Sequence, residues 1–242
     1  MSWMDEPMTG FDLETTGVDV ESDRVVTACV ARVGRGLTTA PHLWLADPGI
    51  DIPDGAAAVH GVTTERARAE GRPAAEVVAE IVASLAEVVA DGLPIVAMNA
   101  SYDLTLLDRE ARRHGVTPLV DEIGGPDRLR VIDPRVLDKQ IDPYRRGSRT
   151  LTALCAHYGV RLDGAHSSDA DALAACRVAW RIGQISPGLA ATDLAVLHEQ
   201  QIAWAAEQAD DLAAYFARTQ GREHLAAGVR REWPLIPAQR TA

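Results

Sequence analysis

The chain has 242 residues, 47% of them apolar and 24% charged. That length and composition suit one globular domain with an extension, or two small domains, and exclude a chain disordered throughout, a collagen and a coiled-coil rod. Acids outnumber bases 35 to 24, a formal net charge of −11, which weighs against a nucleic-acid binder that works through a broad basic surface.

Met8 to Asp12 is a short apolar run that reads as a strand and leads into Thr15-Thr16-Gly17. Arg24 to Val33 and His42 to Ala46 read as two further strands, punctuated by residues 17–19 and by Gly34-Arg35-Gly36. Their short connections favour antiparallel hairpins. From Pro73, a first-turn proline, the period changes. Val77, Val78, Ile81, Val82, Leu85, Val88 and Val89 follow at helical spacing until Asp91-Gly92. Pro94 to Met98 is a strand, then a helix runs from about Tyr102 to His114, and Leu129 to Ile132 is the fifth strand. Helices follow at 150–158 and 168–185, the last with Asp171, Ala175, Val178 and Ile182 facing inward. The order β-β-β-α-β-α-β-α-α implies a mixed five-stranded sheet flanked by helices, an α/β fold. Ser186-Pro187-Gly188 then breaks the chain, and residues 186–242 form a helical C-terminal extension with one long helix over 190–219 and a loose end from Trp233 to Pro237.

Cys29, Cys155 and Cys176 lie among apolar neighbours and form no C-x-x-C pair, which reads as buried thiols in a reducing compartment. No apolar run reaches the roughly 18 residues of a spanning helix. Met1 to Pro7 is acidic and lacks the parts of a secretory signal. The expectation is a cytoplasmic protein with no membrane partner.

Four features carry candidate chemistry. In Phe11-Asp12-Leu13-Glu14-Thr15-Thr16-Gly17, carboxylates at i and i+2 share one face of a strand end. Two like charges that close repel unless a cation sits between them, and a hard divalent ion suits such oxygens. In Asn99-Ala100-Ser101-Tyr102-Asp103, Ser101 can cap a helix and Asp103 sits in its first turn, where the helix dipole alone would favour an acid. In His166-Ser167-Ser168-Asp169-Ala170-Asp171, Asp171 falls on the apolar side of a helix and needs a partner there. His166 precedes it, on a loop after Gly164, and a histidine can exchange a proton near neutral pH. Asp169 reads as an exposed or capping acid. In His60-Gly61-Val62-Thr63-Thr64-Glu65, Thr63 or Thr64 reads as an N-cap.

In order and spacing these motifs resemble the DEDDh group of DnaQ-like 3′–5′ exonucleases, relatives of the polymerase III proofreading subunit. F-D-x-E-T-T-G is residues 11–17, N-A-x-[FY]-D is residues 99–103, H-x4-D is residues 166–171, and His60-Gly61-Val62-Thr63 matches the H-G-[IV]-T element. The tyrosine class would place Tyr where Ser167 stands. The resemblance covers residues 8–185, an exonuclease domain, and implies an RNase H-like fold. It further implies that Asp12, Glu14, Asp103 and Asp171 hold two divalent ions, Mg²⁺ or Mn²⁺, with Asp12 bridging them and Asp103 acting through water, and that His166 is the general base. Leu13, Thr15, Thr16, His60 and Tyr102 would grip the 3′-terminal nucleotide.

Tyr144-Arg145-Arg146-Gly147-Ser148-Arg149 is a basic stretch in which Arg145, Arg146 and Arg149 could track a substrate backbone, or form a solvated loop. The activity implied is hydrolysis at 3′ ends of single-stranded DNA to nucleoside 5′-monophosphates. An exoribonuclease or oligoribonuclease fits the same motifs. A non-catalytic, polymerase-associated binding protein would be favoured by the loss of one of the five catalytic positions, and all five are present. Residues 186–242 are the place for self-association or a protein partner, with Trp204 and Tyr215 as anchors. The spacing in Gln208 to Phe216 suits an amphipathic packing helix better than a clamp-binding element.

Overall fold

A computed structural model describes residues 2–34, 36, 40–162 and 165–238. Arg35, in the turn expected after the second strand, and Gly164, expected before the His166 loop, lie outside the described residues. The sheet has six strands: β1 (Met8–Thr15), β2 (Val25–Val33), β3 (His42–Asp47), β4 (Arg72–Pro73), β5 (Ile95–Val96) and β6 (Val131–Ile132). Their order is β4-β3-β2-β1-β5-β6. β1, β2 and β3 pair antiparallel, while β5 joins β1, β6 joins β5 and β4 joins β3 in parallel. The mixed sheet matches the expectation, with β4 added as a two-residue edge. Pro73 therefore ends a strand before the helix instead of opening its first turn.

Ten helices are described: α1 (Asp54–His60), α2 (Thr64–Glu70), α3 (Ala74–Ala90), α4 (Ala100–Arg113), α5 (Leu119–Glu122), α6 (Pro134–Ile141), α7 (Leu151–Tyr158), α8 (Ser168–Ile185), α9 (Pro187–Ala191) and α10 (Leu194–Arg218). Thr63 caps α2 and accepts the Arg66 N–H, as the sequence suggested. One face of the sheet packs Phe11, Leu13, Val25, Ala28 and Trp44 against the apolar stripe of α3 and against α4. The other packs Met8, Val96 and Ile132 against α6, α7 and α8. All three cysteines are buried and free.

β1 shows how the period-2 pleat separates core from site. Phe11 and Leu13 enter the α3–α4 side, so Gly10, Asp12 and Glu14 face α8. A Cβ on Gly10 would lie 2.4 Å from the Ala172 carbonyl oxygen and 3.1 Å from Cys176 Sγ. The absence of a side chain there lets the first turns of α8, which carry Asp171, approach the strand that carries Asp12 and Glu14.

The described part of the extension packs on the sheet. The single long helix expected over 190–219 divides, because the Asp193 carboxylate accepts the Ala195 and Val196 N–H groups and caps a new helix, α10. α10 then covers the open edge of β6. Val131 N–H donates to His198 Nδ1 (3.1 Å), Gln201 Nε2 donates to the Val131 carbonyl (2.9 Å), and Asp133 N–H donates to Gln201 Oε1 (2.8 Å). Gln201 is 0% exposed and His198 3%. Two side chains thus replace a missing strand on an edge that would otherwise be unsatisfied. The Trp233 to Pro237 segment, expected to be loose, is pinned: Trp233 is buried with its indole N–H on Asp133 Oδ2 (3.2 Å), and Ile236 N–H donates to Thr105 Oγ1 (2.9 Å). Trp204 packs on the core, whereas Tyr215 is exposed. Among the described residues no helix is long and apolar enough to cross a membrane.

Candidate active site

The site lies where β1 runs past its short neighbour β5. β5 pairs with β1 only at Thr9 and Gly10. The next inward amide on that side, Leu13 N–H, therefore needs another acceptor, and Asp103 Oδ1 supplies it at 3.0 Å from the first turn of α4. Asp103 is 4% exposed and sits directly behind Asp12 and Glu14. A bulge between Glu14 and Thr15 ends the regular pairing with β2.

Asp12, Glu14 and Asp171 each bring an oxygen within 4.8 Å of the other two. Asp171 Oδ2 accepts the His166 N–H at 3.3 Å. Its Oδ1 is buried and accepts no hydrogen bond from a described residue. The electrostatics follow from crowding acids in a place that water reaches poorly. Burial, then the charges of Asp103, Glu14 and Asp171, raise Asp12 well above the ordinary carboxylate range. Burial and Asp171 push Glu14 up to about 7. Burial pushes Asp103 up to about 8, against the hydrogen bond from Leu13. Asp171 is raised by burial and by Asp169, an effect that the His166 amide and imidazole oppose. Three carboxylates that converge in this way, one with an orphaned oxygen, form a donor set fitted to a hard divalent cation, with Asp103 buried behind them.

Residues behind the cluster join it from distant parts of the chain. Asp133, at the end of β6, accepts Asn99 N–H (3.1 Å), Ala100 N–H (3.0 Å), Arg135 N–H (2.9 Å) and the Trp233 indole. It caps α4 from a neighbouring strand, so Ser101, the expected cap, sits inside the helix, and Asn99 takes the flanking position in a left-handed conformation. Tyr102 ties the second motif to the first: its hydroxyl lies 2.5 Å from Thr15 Oγ1 and 2.6 Å from the Gly17 carbonyl. Gly17 closes the motif because a Cβ there would meet the Asp23 carboxylate at 2.5 Å.

The residues expected to grip the terminal nucleotide divide. Tyr102, Thr15 and His60 lie together at the end of β1; burial lowers the His60 pKa, partly offset by the Thr15 backbone. The Leu13 side chain points into the core on the opposite face. The Thr16 hydroxyl is occupied, donating to Asp23 Oδ1 (2.7 Å) and accepting from Arg24 N–H (3.0 Å). The basic stretch is also reassigned. Arg145 and Arg149 both pair with Asp138, which is 0% exposed and also accepts the Tyr158 hydroxyl at 2.7 Å. They hold the 142–150 loop to α6, and Arg146 is the exposed member of the three. His166 is exposed, with a positive φ of 68°, and it meets the acid cluster through its amide, which donates to Asp171 Oδ2.

A mixed sheet between two helical layers, with acids converging at one end of its central strand, defines a nuclease-type hydrolase fold. The exonuclease family model RNase_T matches residues 9–179. The chain belongs to that family, the DnaQ-like 3′–5′ exonucleases. Similar proteins include the PolC-type DNA polymerases III of Lacticaseibacillus paracasei, 26% identical over 163 residues, and of Halalkalibacterium halodurans, 26% identical over 180 residues. These alignments cover 67% and 74% of this chain but 10% and 11% of the relatives, so the chain spans about a tenth of their length. Among solved structures, E. coli exonuclease I in complex with a dT13 oligonucleotide gives a TM-score of 0.59 at 19% identity, over 76% of this chain and 42% of that one. Exonuclease I from Methylocaldum szegediense gives 0.59 at 19%, over 87% and 46%. At these identities the likeness shows the fold.

Proposed function

We propose that the protein is a metal-dependent 3′–5′ exonuclease that removes nucleoside 5′-monophosphates from the 3′ ends of single-stranded DNA. The observation that carries this reading is the Asp12, Glu14 and Asp171 cluster with its orphaned Asp171 oxygen. Asp12, Glu14 and Asp171 would hold the ions and Asp103 would support the second through water. Two divalent ions bound there would supply a nucleophile at neutral pH and charge neutralisation on the phosphate. Asp103 also fixes the Leu13 amide, and with it the direction of the Asp12 and Glu14 side chains. His166 stands at the rim beside Asp171, where an imidazole can take the proton of the attacking water. Tyr102, Thr15 and His60 form the wall on which the terminal nucleotide rests. Similarity to a solved exonuclease I bound to dT13 supports a single-stranded DNA substrate.

The test is release of mononucleotides from 3′-labelled DNA and RNA oligomers of equal sequence, with Mg²⁺ or Mn²⁺ and with EDTA. Stepwise release from DNA that EDTA abolishes is expected, and Asp12→Ala and His166→Ala should each remove most of it. Preference for the RNA end would move the assignment to an exoribonuclease of the same fold. No release from either substrate with metal present would refute the proposal.

A further inference from the structure

Beyond the carboxylates lies a groove of about 530 Å³ that residues outside the family match help to build. Its inner wall is Asn99, Ser101 and Arg135, at the ends of β5 and β6. Its outer wall is Phe216 of α10, Leu225 and the Arg230-Arg231-Glu232 turn. β5 and β6 run parallel to β1. The groove therefore opens at the same end of the sheet as Asp12 and Glu14, outside the carboxyl ends of parallel strands, where α/β folds place ligands. Ser101 is two residues from Asp103 on α4.

Its chemistry is that of a nucleic-acid strand. Three arginines, Arg135, Arg230 and Arg231, line it beside two acids, Asp133 and Glu232, an excess of positive charge in a chain whose net charge is −11. Arg230 pairs with Glu232 at 2.7 Å and Arg231 with Asp210 at 2.9 Å, and both pairs are exposed. Exposed pairs of this kind hold their partners weakly, so a phosphate can displace the carboxylate and take the guanidinium in bidentate fashion. Leu212 and Leu225, which also line the groove, present apolar surface to solvent, and Phe216 is partly buried. Such faces stack bases without regard to sequence. An acidic peptide would meet the same arginines, but it gives no reason for them to sit at the end of the sheet that carries Asp12 and Glu14.

We propose that this groove is a nucleotide subsite in which the C-terminal extension holds the single strand 5′ of the scissile bond, with phosphates on Arg135, Arg230 and Arg231 and bases against Phe216 and Leu225. The proposal rests on the exonuclease reading. The probe is fluorescein-labelled oligothymidylate from dT2 to dT15, bound to the full chain and to Arg230→Glu/Arg231→Glu, in EDTA, by anisotropy over a salt series. Both substituted residues are exposed, and unchanged thermal melting confirms that the variant folds. For dT2 the two proteins should bind alike. For dT10 and longer the variant should bind about tenfold more weakly, with a salt slope reduced by about 1–2 for the lost phosphate contacts. Glu232→Gln, which removes an acid from the groove, should tighten dT15 binding. Equal weakening at every length, or no weakening at any, would overturn the subsite. Nucleotide release with Mn²⁺ is measured separately. Absence of release by the wild-type chain would refute the exonuclease reading, and a length-dependent loss in the binding series would still locate the strand in the groove.

Discussion

The acid cluster stores a penalty that one neutral substitution should release. Glu14 is held at about 7 in the folded chain against 4.5 for an ordinary glutamate. A carboxyl group whose pKa rises on folding favours the folded state below its unfolded value and loses that contribution as pH climbs through the folded value. For Glu14 the window runs from 4.5 to about 7. At pH 8 the full difference would correspond to about 3 kcal/mol, at roughly 1.4 kcal/mol per pH unit. Glu14 is partly open to water, which screens it and leaves about 1–2 kcal/mol. Glu14→Gln should therefore raise the melting temperature of the metal-free protein at pH 8 by about 2–8 °C for a chain of this size. Below pH 4.5 the two proteins should melt alike. With Mn²⁺ the order should invert, because the wild type gains stability from binding and the variant has lost a ligand. The assay is thermal unfolding in EDTA from pH 3.5 to 8.5, and in Mn²⁺ at pH 8. A variant less stable than the wild type at pH 8 in EDTA, or a pH-independent difference, would refute the reasoning.

Because Glu14 and Asp103 are held at about 7 and about 8, metal binding should release protons near pH 7. Calorimetry in two buffers of different ionisation enthalpy measures the number, and affinity should climb with pH through that range. Gly10→Ala should force α8 away from β1, since the new carbon meets backbone at 2.4 Å. A cost of about 1–3 kcal/mol by denaturant titration is expected, together with weaker metal binding. Gln201→Leu should strip the Val131 carbonyl and the Asp133 amide of their partners. At about 1–3 kcal/mol for each buried group left unpaired, the loss should appear in urea unfolding and as faster amide exchange along β6.

The motifs that carry the acid cluster were legible because each is local. An i, i+2 pair on a strand and a first-turn acid are decided by the pleat and by the helix start. Residues that act over long distance along the chain were not. Asp133 reaches α4 from another strand, and Gln201 reaches β6 from 70 residues away. No spacing rule connects them. Gly10 left no trace in the strand reading either, since its role appears only when α8 is laid against it. For Arg145 and Arg149 the charge is visible in sequence, and the partner Asp138 is not, because it lies on α6 and meets them only in the fold.

Burial alone does not separate the functional acids from the rest. Asp108, Glu110, Asp133 and Asp138 are all buried. Each is satisfied: Asp108 by Arg109 and Arg112, Glu110 by Arg113 and the Val25 amide, Asp133 by four N–H donors, and Asp138 by two arginines and a tyrosine. The cluster at the end of β1 differs in what faces it. Asp12, Glu14 and Asp171 face one another, and an oxygen of Asp171 has no donor among the described residues. A buried acid with a full set of donors is complete without a ligand, and replacing its partner leaves an uncompensated charge. An acid surrounded by acids is incomplete in the folded chain, and a cation completes it. The same distinction resolves the composition. The surplus of acids weighed against nucleic acid only while charge was counted over the whole chain. Under the proposed function phosphate meets local charge, and the acids at the end of β1 are the ones a divalent cation would neutralise.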